Sequence, residues 1–166
     1  MVETKWFVFP MSLKYEGLFD AKELYRMLNH FFRQKGFQSS NPSVRETVHK
    51  DGKDIVYKWE PRRKSSDYSH HIIRTEISMH DVKEVRVKKD GKVLHLNSGR
   101  IEAKIEGILE TDYENLWETQ AFYQFMKTIM GKWLFKPADR EKVEALKSDA
   151  KELHAQLQAF LNFYKY

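Results

Sequence analysis

Cysteine is absent from this 166-residue chain, which excludes disulfides, thiolate nucleophiles and cysteine-ligated metals together. Glycine and proline are scarce, at 7 and 4 residues; the glycines sit at turns, at helix ends or within strand and helix runs, and no flexible linker divides the chain. No repeat or low-complexity segment is present either, and a single domain over 1–166 is expected. No apolar run approaches the ~18 residues that a membrane-spanning helix needs. The opening "MVETKWFVFPMSLKYEG" carries Glu3 where a signal peptide would be basic, and Pro10 interrupts its apolar run. It reads as a first strand, and a cytoplasmic location without a membrane span is the expectation.

The catalytic signatures are missing as well. There is no G-x-S-x-G elbow, no Walker loop and no G-x-G-x-x-G. Seven histidines invite a metal site, but His70 and His80, on one strand face, stand ~33 Å apart at ~3.3 Å per residue, and His70 and His71 point to opposite faces. No H-E-x-x-H or comparable ligand spacing occurs. Glu76, Glu102 and Glu106 could converge as an acid–base pair, but Arg74 and Lys104 beside them make ion pairing on a wet sheet face the simpler reading. Neither a cofactor nor a catalytic residue is expected, and the chain is read as non-enzymatic.

What is present is a globular composition. The AVILMFWYC residues make up 41% and aromatics 14% of the chain, with 32% charged residues of both signs, so disorder is excluded. A chain of this length buries roughly 70% of its unfolded surface. The net charge of +5 permits an anionic partner without requiring one.

Pattern then gives the elements. Alternation over 5–15 places Phe7, Phe9, Met11 and Leu13 on one strand face. Asp20 and Glu23 have capping-box spacing at the start of a helix over 20–35, with Leu24, Met27, Leu28 and Phe31 as its apolar stripe and Gly36 as its left-handed stop, after which Phe37 packs back near Phe32. From 44 to 110 the spacing is that of antiparallel strands, turned at two "KDGK" segments where Asp-Gly suits a tight hairpin. The intervening "EPRRKSSDYS" reads as a loop. Leu94 and Leu96 are even while Ile101, Ala103 and Ile105 are odd, which predicts a bulge around Gly99. Thr111 and Glu114 open a helix over 112–131, and a final helix runs over 138–164. The fold class is therefore α+β: a twisted antiparallel sheet of about six or seven strands, packed on one face by an N-terminal helix and two C-terminal helices.

That order of elements resembles the helix-grip proteins, the START and polyketide-cyclase-like superfamily. The resemblance implies a sheet curved around the C-terminal helix with an apolar ligand held between them. Separately, "KYEGLFDAKELY" and "GILETDYENLWE" resemble segments of small archaeal proteins, a likeness that transfers no site.

Three candidate sites follow. Val143, Leu146, Ala150, Leu153, Leu157, Phe160 and Tyr164 recur in steps of three and four, the two-in-seven seam of a coiled coil. It serves either the domain's own core or self-association with a second copy. Leu161 and Phe163 widen the stripe as packing on a sheet requires. Ile73, Ile77, Ile105, Leu153 and Leu157 would line an apolar small-molecule site between sheet and helix, or simply fill the core. Arg62, Arg63, Lys64 and Tyr68 combine phosphate-neutralising charge with a stacking ring, the ingredients of a nucleic-acid patch, which Lys83, Arg86, Lys88, Lys89 and Lys92 on the second hairpin would extend. The leading functional expectation is a binding or assembly module acting through protein–protein contacts, with a protein partner or homo-oligomer. The alternatives are a helix-grip-like carrier of an apolar small molecule, and nucleic-acid binding through 61–68.

Overall fold

The structure, a computed structural model, describes residues 3–38, 41–66, 69–112 and 137–164. In chain order these form β1 (Glu3–Phe19), α1 (Ala21–Gln34), β2 (Ser43–His49), β3 (Gly52–Trp59), β4 (Arg62–Ser66), β5 (Ser69–Lys89), β6 (Lys92–Asp112) and α2 (Pro137–Phe163). The fold is α+β, with one open antiparallel sheet in the order β1-β6-β5-β3-β2 and β4 paired to β5 beside β3. Its spine is the β5–β6 hairpin, which stays paired from Ser69↔Thr111 to Lys89↔Lys92. The turn at its tip places Asp90 and Gly91 at φ 52° and 76°, the two positive values that the Asp-Gly pair accommodates. In the first "KDGK" only Gly52 takes a positive φ.

α1 begins as its sequence dictates. The Asp20 carboxylate accepts from the amides of Lys22 and Glu23, while Glu23 turns outward to pair with Arg26 instead of closing a capping box. Gly36, at φ 79°, ends it. The Phe37 amide then donates to the Phe32 carbonyl and the two rings meet edge to face at 6.1 Å, the hydrophobic closure of a Schellman-type end.

Four expectations are corrected. Two helices, not three, lie among the described residues; of the helix expected over 112–131, residue 112 ends β6 and the rest lies outside the described residues. α2 is also the one helix whose backbone comes close to the strands, against β1 and β6. α1 stands farther from the strands in its backbone, because large rings act as spacers: Tyr25 meets the rings of Tyr57 and Trp59 on β3 at 6.0 and 5.9 Å. The segment read as a loop, "EPRRKSSDYS", contains β4, whose residues Arg62 to Ser66 pair with β5. Finally, β1 does not alternate throughout, since a register shift between Phe7 and Pro10 breaks it.

The irregularity predicted near Gly99 exists, but on the other strand. Register slips between His80 and Lys83, so Asp81, at φ 54°, and Val82 lie opposite Gly99, while β6 itself pairs continuously with β1 from Asn97 to Glu106. Leu96 therefore faces away from Ile101 rather than sharing its side. Glycine is required at 99 because a Cβ there would sit 2.8 Å from the His80 carbonyl oxygen. The bulge is braced by the Asp54 carboxylate, which accepts from the Asp81 amide at 3.0 Å.

The core lies between the sheet and the helices. Odd residues of β5 and β6, namely Ile73, Ile77, Met79, Ile101, Ala103 and Ile105, are buried with Leu146, Leu153 and Leu157 of α2 and Leu28 and Phe31 of α1. The opposite face carries the charges anticipated for it: Arg74 pairs with Glu60 and Glu106 at 2.7 and 3.4 Å, and Lys58 with Glu76 at 3.7 Å. Towards β4 that same face closes over, with Ile72 and Ile108 buried as cross-strand partners.

Gly99→Ala is expected to lower stability by about 1–3 kcal/mol, the range for overpacking against groups that cannot move freely, whereas Gly91→Ala meets no atom within 4 Å and suffers mainly from its positive φ. Urea unfolding of the two variants checks this; a Gly99→Ala protein as stable as wild type would contradict the placement of the bulge.

Candidate functional site

The helical seam turns inward. Leu146, Ala150, Leu153 and Leu157 are buried, Val143 and Phe160 are half-buried against the core, and Tyr164 sits at the end with its ring 5.3 Å from Phe160. Leu161, outside the strict repeat, is buried too. The seam thus packs on the protein's own sheet, and the widening by Leu161 was the signal for it; Phe163 instead faces out, 68% exposed.

The candidate apolar lining is brought together as well. Ile73, Ile77, Ile105, Leu153 and Leu157 share one buried cluster and each has 0% exposure. Zero exposure means that no face of these side chains borders even a water-sized space, so they pack on one another as core does. Within this cluster Thr75 and Trp59 are cross-strand partners, and the Thr75 hydroxyl and Trp59 indole nitrogen are both buried without a hydrogen-bond partner.

The basic residues of 61–68 are drawn into β4 and largely neutralised there. Arg62 pairs with Glu110 at 3.4 Å. Arg63 is the hub of a polar lock that joins four parts of the chain: it donates to the Asp149 carboxylate of α2 at 2.7 Å, to the Lys35 carbonyl beyond α1 at 2.8 Å, and to Nδ1 of His71 on β5 at 2.9 Å. Its guanidinium also lies 4.4 Å from the centre of the Phe37 ring, a cation–π contact. Lys35 completes the lock by pairing with Glu152 and Asp149 of α2. Lys64 is partnered within the fold, and Tyr68 lies outside the described residues. No spacing rule joins residues 35, 63, 71 and 149, so sequence reading had no route to this group.

The lock also fixes the state of His71. A guanidinium only donates, so Nδ1 must accept and the ring proton resides on Nε2. Burial, reinforced by the Arg63 charge, pushes the His71 pKa down to about 4. Nε2 is buried against the Lys142 backbone of α2, a contact that favours a proton on it. With one nitrogen occupied and the other enclosed, the imidazole acts as a strut between β4, β5 and α2.

Among the described residues, two surfaces stand out as exposed. β2 is an end strand of the sheet, paired along its whole length with β3 without a register shift. Every one of its residues is exposed, Val44 by 54% and Val48 by 77%. The other end strand, β1, is protected differently: Pro10 and the adjacent register shift interrupt it, and His154 of α2 donates to its Ser12 carbonyl at 3.2 Å. The second open surface is the far end of the β5–β6 hairpin. There β1 pairs no further than Asn97 and β3 no further than Val82, so 85–89 and 92–96 continue as a ribbon of two strands.

Among the described residues no cluster of three or more His, Asp or Glu side chains is placed to hold a metal ion, and no helix is long and apolar enough to cross a membrane. No protein-family model matches this sequence, and no curated protein matches it significantly.

Because the folded pKa of His71 is depressed below its ordinary 6.5, the unfolded chain binds a proton more readily, and stability is expected to fall as pH drops from 6.5 towards 4. At ~1.4 kcal/mol per unit of pKa difference, the loss is on the order of 3 kcal/mol. Urea unfolding across pH 4–7 for wild type and His71→Gln checks this. The wild type should show the decline and the variant should lose most of its slope; parallel profiles would contradict a buried neutral imidazole.

Proposed function

We propose that the protein is a non-enzymatic binding module that acts through protein–protein contacts, and that the contact is strand addition at the free edge of β2. The observation that carries this reading is the contrast between the two sheet edges. Exposed edges are ordinarily blunted by proline, bulges or covering groups because their unpaired amides and carbonyls recruit other strands. β1 has such protection, while β2 has an unbroken seven-residue run with Val44 and Val48 on one side. Main-chain pairing then supplies affinity, and alternate side chains supply specificity.

The charges of β2 favour a partner strand of different sequence over a second copy. Two antiparallel copies related by a two-fold axis oppose residues on the same face, so the central position meets itself. Centring on Glu46 or on Arg45 sets like charges directly opposite, which is destabilising. A foreign strand that sets a basic residue against Glu46, an acidic one against Arg45 and apolar ones against Val44 and Val48 avoids the conflict. The seam 143–164 and the apolar cluster at Ile73 and Leu153 have no part in this reading, since they are consumed by the core.

The reading is tested by panning a library of extended heptapeptides against the protein and against a Val44→Lys, Val48→Lys variant. Enriched peptides are expected to bind wild type at least tenfold more tightly than the variant and to slow amide hydrogen exchange along β2. Absence of any enriched peptide, or equal binding to the variant, would overturn it.

A further inference from the structure

The outer part of the β5–β6 hairpin is a second surface, chemically distinct from β2. Over 83–96 it holds five basic side chains, Lys83, Arg86, Lys88, Lys89 and Lys92, against two acidic ones, Glu84 and Asp90, so a net +3 of the chain's +5 resides on one projecting ribbon. Several basic residues elsewhere in the sheet have carboxylate partners, Arg62 with Glu110, Arg63 with Asp149, Arg74 with Glu106, Arg100 with Asp81 and Lys53 with Glu46, and those without one, such as Arg45 and Lys104, stand singly and not in a group. Among the described residues Lys83, Arg86, Lys88 and Lys92 have none, and all four are exposed.

Pairing within the ribbon adds to the imbalance. Lys89 lies opposite Lys92, where like charges directly across a strand pair reduce stability, and Lys89 also lies 5.5 Å from the centre of the Phe163 ring of α2. A carboxylate at position 92 would relieve this pair, so the exposed cations Lys83, Arg86, Lys88 and Lys92 are suited to an anionic surface that is not part of the chain.

The shape selects among anions. Five residue pairs at ~3.3 Å per residue give a two-stranded ribbon about 17 Å long, and the major groove of B-form DNA, about 12 Å wide and 8.5 Å deep, admits a two-stranded ribbon. Arg86, Lys88, Val93 and His95 share one face of it by register. On that face the cations meet phosphates, Arg86 is long enough to reach a guanine edge, and exposed Val93 meets a thymine methyl. A lipid surface fits less well, because the tip that would enter first carries exposed Asp90. The major groove of A-form RNA is too narrow and deep for such entry.

We infer that the β5–β6 ribbon binds duplex DNA through the major groove, using Arg86 and Lys88 on one face as its phosphate- and base-contacting cations and Lys92 at the tip as a further phosphate contact. The test is fluorescence anisotropy with a 20-base-pair DNA duplex, with the same sequence as duplex RNA, and with vesicles containing phosphatidylserine, each titrated with the full chain at 50 and 200 mM salt. Expected is salt-sensitive binding to DNA that exceeds binding to RNA duplex and to vesicles. A triple variant, Arg86→Gln, Lys88→Gln, Lys92→Gln, should lose at least tenfold in affinity, and the slope of log K against log salt should become shallower by about 2–3, roughly one per lost phosphate contact. Circular dichroism of the variant should be unchanged, since all three side chains are exposed. No binding to DNA, binding undiminished in the triple variant, or preference for vesicles or RNA duplex would each overturn the inference.

Discussion

Burial of one face of the β5–β6 hairpin beneath α2 is the constraint on which the rest of the structure depends. The two longest strands alternate strictly where they carry the core, so Ile73, Ile77, Ile101 and Ile105 present a continuous apolar strip, and α2 answers with Leu146, Leu153 and Leu157 in steps of three and four. Each side chain in this layer is worth roughly 1.5–3 kcal/mol of transfer free energy when fully removed from water. Neither partner is stable alone: a hairpin needs a covered face, and an isolated helix gains most of its stability from packing. The lock of Arg63, His71, Asp149 and Lys35 then fixes how α2 and the end of α1 sit on the strands, adding direction to an interaction that is itself non-directional.

This arrangement decides which surfaces remain for contacts with other molecules. The gripped face is filled, and the charged face beyond it is internally compensated through Arg74, Glu60, Glu106, Lys58 and Glu76. Among the described residues the exposed surfaces lie at the margins of the sheet. At the β2 edge, main-chain groups and Val44 and Val48 are open. At the hairpin end, β1 and β3 both stop while β5 and β6 continue, the tip meets α2 through Lys89 and Phe163, and Lys83, Arg86, Lys88 and Lys92 are exposed. The bulge opposite Gly99 lies at the root of that ribbon, where Asp54 holds the Asp81 amide and also pairs with His49 at 2.9 Å, raising the His49 pKa through that hydrogen bond.

Local chemistry was legible in the sequence and distant chemistry was not. The Asp20 cap, the Gly36 stop, the Phe32–Phe37 closure and the Asp90-Gly91 turn are decided within a few residues, and each stands where its spacing placed it. The parity change between Leu96 and Ile101 was visible, yet its origin lay across the hairpin at Asp81 and Val82, which a count along β6 alone cannot locate. β4 was missed because Arg, Lys and Ser resemble loop composition, and only pairing with the apolar β5 makes them a strand. The seam was seen as a pattern, but a stripe of leucines reads the same whether a sheet or another helix covers it; Leu161 on its flank was the one residue that distinguished them. The openness of β2 depends on strand order and so had no sequence signature.

The central claim, that α2 is core to this domain and not an interface between copies, is tested most directly by unfolding Leu153→Ala and Leu157→Ala in urea at two protein concentrations a hundredfold apart. The account predicts a loss of about 2–5 kcal/mol for each truncation, as for other fully buried leucines, with midpoints independent of concentration. Midpoints that rise with concentration in wild type, together with truncated proteins that keep the monomer's stability, would contradict it.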